Sequence, residues 1–253
     1  MLISGLVSVS FRALTCEEII ALAKQNGLRA IEWGADVHVP VGDTQRARDV
    51  YEKTAAAGLT VAAYGSYYKL GQIPTRERQR EEMEKILTNA KLLHTDTVRI
   101  WAGSKGSAEY IESEKQELVR EAALLADEAK QAGVRLCFEC HPHTLTDEKD
   151  AAVALLRSID RENVSMYWQP NQYKNHEANR LYLQAILPWL VNLHVFNWHG
   201  EEKQSLALTK EEWKTYFDLV RSDGKRHCCL LEFMPDGKKE SLPQEAATLK
   251  SLL

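Results

Sequence analysis

Short apolar runs alternate with longer amphipathic stretches along the whole chain. The runs at 2–9, 28–33, 59–64, 97–101, 134–138, 164–168, 191–197 and 228–233 are rich in Val, Ile, Leu and aromatic residues, and they predict eight strands. Between them, apolar positions recur at helical spacing. Met83, Ile86, Leu87 and Ala90 mark one face of a helix from about 74 to 93. Further helices are predicted at 16–26, 44–57, 113–132, 147–158, 178–189, from 209 onward, and at 242–252. Thr15 with Glu18 reads as a capping box, and Gly27, Gly58 and Gly133 as helix stops. Asp147 and Thr209 are expected to be N-caps, with Glu212 at the box position of the second.

Strict strand–helix alternation implies a parallel sheet with helices outside it. Eight such units within 253 residues predict an α/β chain folded as a single (β/α)8 barrel domain over 1–253. A doubly wound open sheet is the alternative, but neither G-x-G-x-x-G nor a P-loop is present. There is no linker or low-complexity tract. Hydrophobic content of 44% and charged content of 27% are those of an ordinary globular chain. A formal charge of −4 speaks against a broad nucleic-acid surface. No apolar run approaches the ~20 residues that span a bilayer, and the N-terminus lacks a basic leader. A cytoplasmic protein without membrane or nucleic-acid partners is expected, and the sequence is compatible with a homo-oligomer. The five cysteines are an odd number and include one isolated C-x2-C, so they are expected to be free core thiols.

In such a barrel the chemistry sits at the C-terminal ends of the strands. The fifth strand runs into LCFECHPHTLTD (136–147), where an apolar run stops at Glu139 and two histidines follow. Burying an ionised carboxylate is costly unless a metal, a cation or a proton-transfer role compensates it. Glu139, Gln169, His194 and Glu232 end, or nearly end, the last four predicted strands. Two carboxylates, an imidazole and an amide oxygen suit a divalent cation such as Mn, Co, Mg or Zn. Such an ion would polarise a carbonyl, while Glu139 and Glu232 exchange a proton at the neighbouring carbon. The same four residues could instead form an internal charge network.

His141 is a candidate for orienting a substrate oxygen or moving a proton. Arg99 is expected either to bind a substrate oxygen or anion, or to pair with an acid such as Glu32. Tyr64, Trp101, Trp168, Gln172 and Trp198 lie at strand ends and are candidate substrate contacts, since rings beside amides and acids suit a sugar. The AGSKGS loop (102–107) with Lys105 is a weaker anion-binding candidate. The polar segments 171–180 and 199–208 follow site strands and read as lid segments.

The stretches VRIWAGSKGSAEY (98–110), FECHPHTLTD (138–147), LHVFNW (193–198) and LLEF (230–233) resemble the xylose isomerase-like TIM-barrel superfamily, in its sugar phosphate isomerase/epimerase group. The central stretch is also similar to 3-dehydroshikimate dehydratases. The resemblance implies a divalent metal held at Glu139, Gln169, His194 and Glu232, and proton transfer through an enediolate. Two positions depart from the family pattern. Gln169-Pro170-Asn171-Gln172 stands where Asp-x-x-His is usual, which removes a negative charge. Phe196 stands where dehydratase-like members carry a lysine. Three readings follow: a sugar or keto-sugar isomerase/epimerase, a lyase on the same site, and a sugar-binding barrel that has lost its metal.

Overall fold

Each apolar run pairs with its neighbours to close one sheet in a computed structural model, which describes residues 1–253. The strands are β1 (Leu2–Val7), β2 (Ala30–Gly34), β3 (Thr60–Lys69), β4 (Thr97–Trp101), β5 (Arg135–Glu139), β6 (Val164–Trp168), β7 (Leu190–Val195), β8 (Asn197–His199), β9 (Glu202–Gln204) and β10 (His227–Leu231). Around the barrel the order is β1-β10-β7-β6-β5-β4-β3-β2, with every pair parallel. Strands β8 and β9 form a separate antiparallel hairpin. The helices are α1 (Cys16–Gln25), α2 (Thr44–Ala56), α3 (Arg76–Leu92), α4 (Glu112–Gln131), α5 (Lys149–Ile159), α6 (His176–Ile186), α7 (Lys210–Arg221) and α8 (Leu242–Leu252). The architecture is the (β/α)8 TIM barrel predicted from the alternation.

Of the three N-caps predicted, Thr15, Asp147 and Thr209, only the first is present. Thr15 caps α1 as expected: its hydroxyl accepts from Glu18 N at 3.3 Å, and Glu18 Oε2 accepts from Thr15 N at 2.8 Å. Asp147 is no cap. Helix α5 starts two residues later, and both Asp147 oxygens accept from Ser107 N at 3.1 Å, which ties two loops of the barrel mouth together. Thr209 makes no capping bond either, because α7 continues directly from a 3-10 turn, Leu206–Thr209. The run predicted as 191–197 is interrupted at Phe196, where the chain turns into the β8–β9 hairpin.

The core has two shells, and side-chain alternation sorts residues between them. A large shell between sheet and helices takes Leu136 and Phe138 of β5, Met166 and Trp168 of β6, and Leu193 and Val195 of β7. A smaller one inside the barrel contains Cys137, Tyr167, Cys228 and Leu230. Continuing the inward parity by one step brings Glu139, Gln169, His194 and Glu232 to the barrel axis. All five cysteines are free and buried. No helix is long and apolar enough to cross a membrane.

Candidate active site

Six polar side chains meet at the mouth of the barrel, all of them buried: Glu32, Arg99, Glu139, Gln169, His194 and Glu232. His194 is the hub. Its Nδ1 lies 2.9 Å from Gln169 Oε1, 3.3 Å from Glu139 Oε1 and 3.5 Å from Glu232 Oε2. Its Nε2 lies 3.3 Å from Glu32 Oε2. One ring nitrogen thus faces the three other predicted ligands, while the other is oriented by a carboxylate behind it. A metal-binding imidazole commonly has its second nitrogen held in this way.

Glu139 is divided between two jobs. Oε2 accepts from Arg99 Nη1 and from Trp101 Nε1, which leaves Oε1 facing His194. Arg99 also donates Nε to Glu32 Oε1 at 2.7 Å. The pairing of Arg99 with Glu32 anticipated from sequence is therefore present, and a second carboxylate joins it. Gly65 makes room for this pair: a Cβ there would stand 2.7 Å from Arg99 Nη2 and 3.0 Å from Glu32 Oε1. The turn after β5 is fixed by its threonines. Thr146 Oγ1 donates to the Glu139 carbonyl at 2.6 Å and lies 2.9 Å from Thr144 Oγ1. Below His194 the Tyr167 ring meets it edge-on at 5.1 Å, and Asn192 donates to the Tyr167 hydroxyl.

The electrostatics separate the two predicted catalytic carboxylates. Burial alone would raise both. At Glu139 the Arg99 guanidinium and His194 outweigh burial and hold the carboxyl well below its usual range. At Glu232 burial prevails over His194, repulsion from Glu139 adds to it, and the pKa is pushed up. Glu32 is also held down, to about 2, because Arg99 and His194 overcome its burial. His194 is pushed up to about 10, since Glu232 and Glu32 overcome the desolvation that would lower it.

A cavity of about 150 Å³ opens above this cluster. It is lined by Arg99, Glu139, His141, Gln169, Gln172, Trp101, Trp198 and Glu232, all predicted from sequence, together with Val9, Arg12, Tyr67, Pro142, Phe196 and Phe233. The His141 ring stacks on Trp101 at 4.7 Å, and its Nδ1 is engaged with the Pro142 carbonyl at 2.7 Å, so Nε2 is the free nitrogen. Gln172 comes from the first predicted lid segment, and Trp198 immediately precedes the second. These segments are joined where Gly200 N donates to the Gln172 carbonyl at 3.1 Å and Tyr173 donates to Glu201.

Two predicted substrate contacts are corrected. Tyr64 is fully buried in the outer shell; its hydroxyl donates to the Val39 carbonyl at 2.8 Å and accepts from Asn89. Trp168 also points outward, packing edge-on against Trp213 and Tyr216. Each has the parity of the outward-facing positions on its strand, so neither reaches the cavity. Lys105 is likewise turned away and pairs with Glu114 at 2.7 Å. Arg12 and Phe233 were not foreseen from sequence, and Glu32 was foreseen only as a partner of Arg99. Glu32 could have been found from parity, because it shares the inward face of β2 with Ala30. Arg12 lies in an irregular stretch, where periodicity carries no information.

The donor set fits a divalent cation. Ligand atoms of Glu139, His194 and Glu232 lie within 4.8 Å of one another, and Gln169 Oε1 stands beside them.

Residues 20–252 match the xylose isomerase-like TIM barrel family, and the chain belongs to it. It is 25% identical over 202 residues to a 3-dehydroshikimate dehydratase of Bacillus anthracis, covering 76% of this chain and 71% of that protein. Among solved structures, D-psicose 3-epimerase of Clostridium cellulolyticum H10 with D-tagatose superimposes with a TM-score of 0.72 at 13% identity, covering 99% of this chain and 98% of the other. The IolI protein with a bound zinc atom superimposes with a TM-score of 0.76 at 15% identity, covering 99% and 96%.

Proposed function

We propose that this chain is a metal-dependent isomerase or epimerase of a small sugar or keto-sugar. The observation that carries the reading is the convergence of Glu139, His194 and Glu232, with ligand atoms within 4.8 Å of one another and Gln169 Oε1 beside them, on the floor of a cavity at the barrel mouth. Glu139, His194 and Glu232, with Gln169 as an uncharged fourth donor, would hold a divalent metal that polarises the substrate carbonyl as a Lewis acid. Glu232 takes the proton from the carbon beside that carbonyl and, in an isomerisation, returns it to the neighbouring carbon; inversion at one carbon requires a second proton carrier on the opposite face, for which Glu139 Oε1 is the candidate. Glu139 is fixed through Oε2 by Arg99 and Trp101, which leaves Oε1 facing His194 and the cavity. His141 Nε2 is free to meet a substrate hydroxyl. Trp101, Trp198 and Tyr67 supply flat walls for C–H faces.

The similarity to a dehydratase supports a second reading, loss of water through the same proton abstraction. Phe196, at a position where the resemblance calls for lysine, counts against it.

The test is solvent exchange. The protein with Mn²⁺ is incubated in D₂O with a panel of ketopentoses and ketohexoses, and carbon-bound deuterium is read by NMR. Deuterium uptake that Glu232→Gln reduces by at least ~10³-fold supports the isomerase reading. A conjugated, ultraviolet-absorbing product from a cyclic hydroxy-ketone acid identifies the lyase instead. Absence of both, with a sugar still bound, would sink catalysis and leave the binding barrel.

A further inference from the structure

We propose that the cavity mouth carries an anion subsite built on Arg12, so that the substrate bears a carboxylate or phosphate group at the end away from His194. This rests on the reading of the cavity as the substrate site. Two arginines line the cavity. Arg99 is buried and committed to Glu32 and Glu139. Arg12 is not committed in this way: its side chain is 48% exposed, and only part of its fork is used. Nε donates to Asp36 Oδ2 at 2.5 Å, and Nη2 reaches the Tyr67 hydroxyl at 3.3 Å. Nη1 makes no hydrogen bond within the chain and is free to donate. An arginine fork held by one carboxylate keeps its planar donor geometry for a second anion.

The surroundings of Arg12 are specifically arranged. A Cβ at Gly34 would stand 2.6 Å from Asp36 Oδ1, so glycine is what admits the carboxylate that orients Arg12. Tyr67 (φ 59°) and Phe233 (φ 58°) both adopt the left-handed backbone region that non-glycine residues avoid. Both line the cavity beside Arg12: the Tyr67 hydroxyl accepts from Nη2, and the Phe233 ring centre lies 6.0 Å from the guanidinium carbon. Strain of this kind persists where the surrounding structure enforces it, and it clusters at ligand sites. Phe233 is secured by its backbone N–H, which donates to Ser10 Oγ at 2.9 Å.

Two further cations lie over rings that line the same cavity. Lys203 Nζ lies 4.8 Å from the Phe233 ring and 4.9 Å from Trp198, and Lys69 Nζ lies 4.3 Å from Trp101. Asp36 offsets much of the Arg12 charge, so Arg12 contributes directed N–H groups while the lysines contribute the field. Glu139 and Glu232 line the cavity and are buried, whereas Arg12 is half-exposed and the two lysines lie over the cavity's aromatic walls. A molecule with a neutral carbonyl end and an anionic end would be oriented by that polarity.

The experiment titrates the full chain, dialysed free of metal so that no anion can ligate one, with inorganic phosphate and with glycolate at low ionic strength. Quenching of tryptophan fluorescence is read, because Trp101 and Trp198 line the cavity. Saturable binding is expected, weakened at least ~10-fold in Arg12→Gln and less in Arg12→Lys, which keeps charge but loses the fork. Lys105→Gln, which removes one charge outside the mouth, leaves it unchanged. Preference for phosphate assigns a phosphorylated substrate, and preference for glycolate a sugar acid; either supports the subsite. The proposal is overturned if neither anion saturates, or if Arg12→Gln and Lys105→Gln behave alike. Circular dichroism verifies folding; should Arg12→Gln not fold, Arg12→Lys must itself bind more weakly than the unaltered chain. Metal titration of the same samples keeps the outcomes apart, since anion binding can fail while Glu139, His194 and Glu232 still take up a cation.

Discussion

At the scale of single residues, Gln169 departs most clearly from a fully charged metal site. Its Oε1 stands 2.9 Å from His194 Nδ1, so an aspartate oxygen could reach the same cation from the same strand end. Gln169→Asp should tighten Mn²⁺ binding by on the order of tenfold or more, because it returns a negative charge to a site of low dielectric. Isothermal titration checks this, and equal affinities would mean that position 169 is not a ligand. Arg99 is the opposite case, a cation whose removal strands two buried anions. Arg99→Met should cost about 3–5 kcal/mol in urea unfolding, the range for breaking a buried pair. A loss below ~1 kcal/mol would show that Glu32 and Glu139 take up protons with little penalty. Glu139 itself was legible in the sequence because a carboxylate and two imidazoles directly after an apolar run need compensation. The partner that holds its Oε2, Arg99, lies 40 positions earlier in the chain, and no local pattern links the two.

At the scale of elements, the loop after β2 is held by His38. Its Nε2 donates to the Leu14 carbonyl at 3.1 Å, its own carbonyl accepts from Arg46 Nε, and its buried Nδ1 has no partner. Burial lowers the His38 pKa, since a charged ring there would carry an unsatisfied donor. The unfolded chain therefore binds the proton first. His38 costs nothing above its unfolded value of about 6.5, and stability is lost as pH falls from there through the depressed folded value. The urea midpoint should fall more between pH 7.5 and pH 5 in the unaltered chain than in His38→Gln; identical pH dependence would remove His38 from the account. Strand parity was readable at this scale, and it explains the two corrections. Tyr64 and Trp168 lie near strand ends, yet they share the outward parity of their strands and pack against helices. Proximity to a strand end selects the mouth only together with the inward face.

For the whole molecule, the fold turns eight local units into one site, and a ligand at that site stabilises all of them together. A divalent cation binding only the folded chain at ~100 times its dissociation constant adds about 2.7 kcal/mol. For a chain of this size that corresponds to a rise in Tm of roughly 5–10 °C. Mn²⁺ should raise Tm by that amount, EDTA should reverse it, and Glu139→Ala and Glu232→Ala should abolish it. No response to Mn²⁺, Co²⁺, Mg²⁺ or Zn²⁺ would favour the binding-barrel reading.

The order and type of the elements, the barrel class and the strands that carry the polar site were determined by the sequence itself. Those features depend on hydrophobic period, caps and turn residues, which act over a few neighbouring positions. What only the tertiary structure decided depends on distance through space. Closure of the barrel sets His194 between Glu32 and Glu232, residues 200 positions apart; burial there pushes the Glu232 carboxyl up, while Arg99 and His194 hold that of Glu32 near 2. It also brings Arg12, from an irregular turn, to the mouth of a cavity whose floor lies on other strands. Coulombic and desolvation terms are set by which groups end up adjacent and how much water is left between them, and closure of the sheet fixes both.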